Sequence, residues 1–360
     1  MLVFFEGKRR IATLPMKTTS SPVWLCHFVR SLIFIGLLAG GLRGAAPADA
    51  LLGRWALTLT NDRAGWLEIK REGGWYDGSL LWVGGSVVPV ASVAIVDGTL
   101  TVTRVREVPR KNGSGAVVRR QQLTETFSGR LVGDELKMTR TAFNAAGTGV
   151  EREEFTGKRI PALPPAPDLS KVKFGEPIAL LNGRDLTGWR LIEAKAENGW
   201  SVINGELVNR PAPKVEGQPV RRFGNLRTER EFEDFNLKLE VNVPEKNNSG
   251  IYLRGIYEIQ VFDSFGKALD SHNMGALYSR ITPSVAAEKP ASQWQTFDIT
   301  LVDRHLTVVL NGTTIIANQP VLGCTGGALW SDEFRPGPLF LQGDHGAVSY
   351  RNLVLRPVVK

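Results

Sequence analysis

Asn247-Asn248-Ser249-Gly250-Ile251-Tyr252-Leu253-Arg254-Gly255-Ile256-Tyr257-Glu258-Ile259-Gln260-Val261-Phe262-Asp263 carries the strongest pattern in the chain. Side chains alternate across an extended strand. Ile251, Leu253, Gly255, Tyr257, Ile259 and Val261 therefore share one face. Tyr252, Arg254, Ile256, Glu258, Gln260 and Phe262 share the other. The first face is apolar; the second carries a polar stripe of Arg254, Glu258 and Gln260. The pattern predicts an antiparallel strand with its apolar side on a core. Arg, Glu and Gln beside Tyr252 suit sugar hydroxyls better than plain solvent. Asp263 has the wrong parity for the stripe and joins it only through a β-bulge, a feature that recurs next to active sites.

The same period extends in both directions. Residues 235–243 alternate cleanly, and Asn311-Gly312 separates Leu306-Thr307-Val308-Val309-Leu310 from Thr313-Thr314-Ile315-Ile316. Asn182-Gly183 and Asn204-Gly205 are further turn signals. Short strands with regular turns predict a two-sheet sandwich or jelly roll for residues 174–360. Upstream, Ile160-Pro161-Ala162-Leu163-Pro164-Pro165-Ala166-Pro167 cannot continue a helix or a central strand. Residues 161–173 are thus expected to be a linker. Before it, Asp97-Gly98 joins Val93-Ala94-Ile95-Val96 to Leu100-Thr101-Val102-Thr103, a hairpin signal. Residues 51–160 are read as a small β-barrel or β-sandwich domain of unknown function, and the whole chain as all-β. Trp66, Trp75 and Trp82 either line a ligand cavity there or fill its core.

Residues 1–50 read as a signal peptide. Arg30 precedes the apolar run Ser31-Leu32-Ile33-Phe34-Ile35-Gly36-Leu37-Leu38-Ala39-Gly40, and Ala48-Asp49-Ala50 is an A-x-A cleavage candidate. The run is short for a permanent span, which needs about 20 apolar residues. The expectation is an exported protein, periplasmic or secreted, with no membrane attachment after cleavage. Half of the formal charge of +8 belongs to this segment, and residues 161–360 are neutral. A nucleic-acid partner needs a clustered basic face, and only short pairs such as Arg119-Arg120 and Arg221-Arg222 occur. Of the two cysteines, Cys26 lies in the signal segment and Cys324 is left alone. No internal disulfide or cysteine zinc site is available to the mature chain.

Residues 174–358 resemble the 3-keto-disaccharide hydrolase family. The resemblance runs in order through Leu180-Leu181-Asn182-Gly183-Arg184-Asp185-Leu186-Thr187-Gly188-Trp189, Trp200-Ser201-Val202-Ile203-Asn204-Gly205-Glu206-Leu207 and Asn248-Ser249-Gly250-Ile251-Tyr252-Leu253-Arg254. Tyr257-Glu258-Ile259-Gln260-Val261-Phe262-Asp263, Gly275-Ala276-Leu277-Tyr278, Lys289-Pro290, Trp294, Leu310-Asn311-Gly312, Leu341-Gln342, His345-Gly346 and Arg351-Asn352 follow. Two positions depart from the family pattern. Gln295 stands where Asn is usual, and Gly343 is inserted between Gln342 and Asp344.

The resemblance implies a concanavalin-like β-sandwich and substrates already oxidised at C3 of the sugar, supplied by a separate glycoside 3-oxidoreductase. A C3 ketone acidifies the C2 proton. Its removal, loss of the C1 substituent and addition of water break the glycosidic bond. The chemistry needs a base, an acid and a stabiliser of negative charge. His345 is the candidate base or acid, because histidine as a residue type titrates near neutral pH. Arg254 is the candidate for the enolate oxygen. Glu258, Asp263 and Asp344 are candidates for acid–base work, hydroxyl binding or holding a divalent cation, although no ligand spacing demonstrates one. Tyr252, Gln260, Tyr278, Lys289, Trp294 and Gln342 are the expected substrate contacts. No dinucleotide fingerprint or P-loop is present. A non-catalytic carbohydrate-binding module of the same sandwich fold is the alternative reading.

Overall fold

The computed structural model describes residues 48–144, 146–210 and 223–359. The apolar run and Cys26 of the expected signal lie outside them. The 247–263 stretch is two strands, Asn248–Leu253 and Tyr257–Phe262, paired antiparallel with Tyr252 opposite Glu258. The reversal comes at Arg254 and Gly255, with φ of 54° and 70°. Positive φ at two successive residues is the backbone of a tight hairpin turn. The alternation holds across the turn. Ile251, Leu253, Tyr257, Ile259 and Val261 are wholly buried on the inner face, and Tyr252, Glu258 and Gln260 lie opposite. What the turn changes is Arg254, which leaves the stripe.

This hairpin forms one edge of a five-stranded sheet. The order is Trp189–Leu191, Leu226–Phe232, Gly337–Leu341, Asn248–Leu253 and Tyr257–Phe262. The opposing sheet has eight strands. Phe235–Asn242, Gln295–Val302, His305–Leu310 and Val348–Pro357 supply its centre. Leu237, Leu239, Val241, Phe297, Ile299, Leu301, Val308 and Leu355 project inward to meet Ile251, Ile259, Val261 and Leu341. Each such side chain contributes roughly 1.5–3 kcal/mol by leaving water, so the alternation read from the sequence is also what holds the sheets together. The result is a jelly-roll β-sandwich.

Residues 53–159 form one nine-stranded antiparallel sheet. It curls around its own core of Trp55, Leu57, Leu67, Ile69, Leu80, Leu100, Val102, Phe127, Leu136, Met138 and Phe155. No ladder joins its end strands, Val88–Pro89 and Ser92–Val96, so it does not close into a barrel. Trp82 packs within 5.0 Å of the Phe127 and Phe155 rings. Trp75 is 62% exposed. Trp66 turns away with Ala64, Leu81 and Ile160 and enters the sandwich core. Arg280 lies 4.3 Å over the Trp66 ring and donates to the carbonyls of Leu322 and Cys324. Both sheet systems belong to one compact unit, Ala45–Lys360. Residues 161–167 have no regular structure, and Asn318 Nδ2 donates to the Pro167 carbonyl at 3.0 Å. Among the described residues no helix is long and apolar enough to cross a membrane.

Candidate active site

The outer face of the five-stranded sheet should be wet, yet Tyr252, Glu258 and Gln260 are 1%, 4% and 3% exposed. They are covered. The segment around Thr325-Gly326-Gly327 crosses above them: Thr325 Oγ1 accepts from Glu258 N, and Tyr252 Oη meets Gly326 O at 2.8 Å. The Tyr252 ring stacks on Phe340 at 4.1 Å, fixing its hydroxyl. Gly250, beside these residues on the same face, leaves room for a carboxyl. A Cβ there would lie 2.4 Å from Glu258 Oε1.

Glu258 is the centre of this arrangement. Burial pushes its carboxyl up to about 8; the Tyr252 hydroxyl opposes the shift and the Asp344 charge adds to it. The hydrogen bonds lead to the same protonation state. Tyr252 Oη is 2.8 Å from both Glu258 Oε2 and Gly326 O. A tyrosine has one proton to donate, and a carbonyl can only accept. Both contacts are satisfied together when Glu258 carries a proton and donates it to Tyr252, which donates onward to Gly326.

Beside Glu258, His345 Nδ1 lies 2.7 Å from Asp344 Oδ1, with the imidazole partly exposed. The loop that presents this pair is anchored on both sides. Asn225 Oδ1 accepts from Gly343 N, while Asn209 Nδ2 donates to the carbonyls of Gly343 and Gly346. The inserted glycine fits this anchor. A Cβ on Gly343 would fall 2.5 Å from Gly224 O and 2.7 Å from Trp200 Nε1. The amide oxygens of Asn248, Gln260 and Gln342 are buried without a partner in the chain. Native proteins keep such groups where a ligand or water completes them.

The structure therefore gathers Tyr252, Glu258, Gln260, Gln342, Asp344 and His345. Tyr278 adjoins them, its N–H donating to Glu258 O at 2.9 Å. Four expected residues lie elsewhere. Arg254 is turned out by its left-handed backbone and donates to the carbonyls of Glu333 and Arg335. It lines a separate cavity of about 170 Å³ with Asp234, Arg304 and Glu333. The Asn248–Leu253/Tyr257–Phe262 ladder has no register shift, so no bulge redirects Asp263. Its carboxylate accepts from Lys246 N instead. Lys289 is bonded through its backbone to Gln295, and Trp294 lies 4.0 Å beneath Arg351. Both lie in the segment that precedes the Gln295–Val302 strand of the eight-stranded sheet. Gln295 also accepts from Asn311 Nδ2, closing that strut. Among the described residues no group of three or more His, Cys, Asp or Glu is placed to hold a metal ion. Cys324 is buried in the core, which pushes its thiol up to about 12.

Sequence reasoning missed Asn209 and Asn225, whose anchoring bonds span more than a hundred residues. It also missed His272, which meets Asp270 in its own turn and Ser86 from the other sheet system.

A model of the 3-keto-alpha-glucoside-1,2-lyase-like domain matches residues 176–356. The chain belongs to this family. As a member of the 3-keto-alpha-glucoside-1,2-lyase-like family it is carbohydrate-active. Among solved structures it is similar to a candidate glycosyl hydrolase from Parabacteroides distasonis. The two are 25% identical, with a TM-score of 0.41, over 56% of this chain and 94% of that one. A second from the same organism is 18% identical, with a TM-score of 0.40, over 51% and 94%. A non-specific endo-beta-1,3(4)-glucanase is 12% identical, with a TM-score of 0.33, over 56% and 94%. No curated protein matches the chain.

Proposed function

We propose that this chain is an exported enzyme that cleaves 3-keto-glycosides by elimination and hydration. One observation carries the reading: a buried Glu258, its carboxyl pushed up to about 8, shares a polar face with Tyr252 and Gln260 and feels the charge of the Asp344 that meets His345. With Asp344 on Nδ1, the His345 Nε2 is the free base. It takes the C2 proton that the C3 ketone has acidified. The electron pair moves to form the C1–C2 double bond, the C1–O bond breaks, and the leaving oxygen takes the Glu258 proton. Water then adds its oxygen to C1 and returns a proton to Glu258, while His345 returns its proton to C2. The sum is hydrolysis of the glycosidic bond. The side-chain amides of Gln260 and Gln342 serve the sugar hydroxyls and the developing enolate oxygen. The ketone must be installed by a separate oxidoreductase. Export is supported by the apolar run at residues 31–40 and by Ala48-Asp49-Ala50.

The test is aglycone release by pure protein from a 3-keto-glucoside. His345→Ala should abolish turnover and leave binding intact. Absence of release from any such substrate, at every pH tried and with added divalent metals, would sink the reading. A non-catalytic binding module predicts saturable binding with no turnover.

A further inference from the structure

The polar cluster does not end at Tyr278. The Tyr278 ring meets His272 edge-on at 4.8 Å. His272 Nδ1 lies 2.5 Å from Asp270 Oδ1, and its Nε2 lies 2.8 Å from Ser86 Oγ. A carboxylate can only accept, so Nδ1 carries the proton. In the neutral ring Nε2 then accepts from the Ser86 hydroxyl. The tautomer is fixed from both ends, at a ring that remains 41% exposed.

Ser86 comes from the nine-stranded sheet, outside the matched family domain. Its loop is docked against Ser279 and Gly326. Val87 N donates to Ser279 Oγ at 3.1 Å. Gly85 packs backbone to backbone on Gly326, where an added Cβ would lie 2.1 Å from Gly85 O. Gly326 is the residue whose carbonyl Tyr252 contacts. The loop thus stands one residue away from the Tyr252–Glu258 chain. It presents exposed Gly84 and Gly85, the Ser86 hydroxyl and the His272–Tyr278 ring pair. Hydroxyls and small backbone groups beside aromatic faces are what a sugar needs from a subsite, with hydrogen bonds at its edge and stacking at its face.

We propose that the Ser86–His272–Asp270 chain and the Gly84–Gly85 loop form the leaving-group subsite of the cleft, selecting a second sugar as the group released. This rests on the reaction proposed above. The groups that act on the oxidised ring all lie within residues 176–356, and the nine-stranded sheet adds the side that the departing group faces. Residues 51–160 then act as the specificity half of the enzyme, and Ser86 is a positioning residue acting through His272.

The full-length chain and its Ser86→Ala and Ser86→Thr variants are compared on a 3-keto-disaccharide and on a 3-keto-glucosyl fluoride, whose leaving group is too small to reach the loop. Ser86→Ala should lower kcat/KM for the disaccharide at least ten-fold and leave the fluoride within two-fold, and Ser86→Thr should restore most of the loss. Equal losses on both substrates, or none on either, would overturn the proposal. Calorimetric binding of the unoxidised disaccharide separates it from the parent reading. Weakened binding in Ser86→Ala without turnover in any form upholds the subsite and removes the reaction. Normal turnover with unchanged binding in Ser86→Ala removes the subsite alone. Hydrolysis of nitrophenyl acetate that disappears in Ser86→Ala would assign an acyl-transfer triad instead and overturn the proposal.

Discussion

A glutamate kept protonated by burial weakens the fold at neutral pH, and Glu258→Gln should reveal how much. The folded-state carboxyl sits at about 8 and its ordinary value is 4.5. Below 4.5 both folded and unfolded chains carry the proton, and the carboxyl costs nothing. Between 4.5 and 8 the unfolded chain releases the proton and the folded chain keeps it, so stability falls as pH rises, by about 1.4 kcal/mol per unit. At pH 7 the accumulated loss is about 3 kcal/mol. Glutamine mimics the protonated acid in size and can donate to Tyr252, but it has no proton to release. The assay is urea unfolding of parent and variant at a series of pH values. Glu258→Gln should match the parent near pH 4.5 and exceed it by about 3 kcal/mol at pH 7. It should also lose roughly 100-fold or more in turnover, as befits a general acid. Parallel stability curves for the two proteins would refute both the elevated carboxyl and the acid role built on it.

Tyr252→Phe leaves the buried Gly326 carbonyl without its donor and should cost about 1–3 kcal/mol. Urea unfolding of the variant against the parent reads this loss. Gly343→Ala forces a Cβ to within 2.5 Å of Gly224 O, and the overpacked loop should lower the urea-derived stability by about 1–3 kcal/mol. Glu125, in the nine-stranded sheet, is the opposite case to Glu258. Burial raises its pKa, but Arg140 and Arg104 outweigh burial and hold it below the ordinary value. Its contribution is present above the unfolded pKa and is lost as pH falls through the folded one. Glu125→Ala strands Arg104 and Arg140 and should cost about 3–5 kcal/mol at neutral pH in a denaturation assay.

The strand faces were legible because three residues, 254–256, separate the paired Leu253 and Tyr257, and an odd loop keeps the period of two in phase. Tyr252 and Glu258 were placed on one face by alternation, and they do lie opposite each other across the hairpin. The reversal itself was not legible. Arg254 adopts a left-handed backbone usually left to Gly, Asn or Asp, and nothing in the alternation warns of it. Lys289 and Trp294 fail for a different reason. A linear order of motifs says which residues occur, not what they pack against, and here Lys289 is tied to Gln295 and Trp294 lies beneath Arg351. Ser86 and His272 are 186 positions apart. Only Asp270-x-His272 had a local signature, an Asx turn in which Asp270 also accepts from His272 N.

The coverage of the polar face is what converts a sheet into a candidate catalytic site. An exposed strand with Glu258 and Gln260 would have a carboxyl near 4.5, ionised and unable to act as an acid at neutral pH. Burial beneath the Gly326 segment moves it to about 8, and Tyr252 ties that segment to the carboxyl. Gly326 must be glycine because Gly85 lies against it, so the nine-stranded sheet bears on the segment that covers Glu258. Loosening the Gly85 contact would admit water over Glu258, lower its pKa and remove the proton that the elimination needs. On this argument the half of the chain outside the family domain bears on acid strength as well as on the choice of leaving group, through one backbone contact.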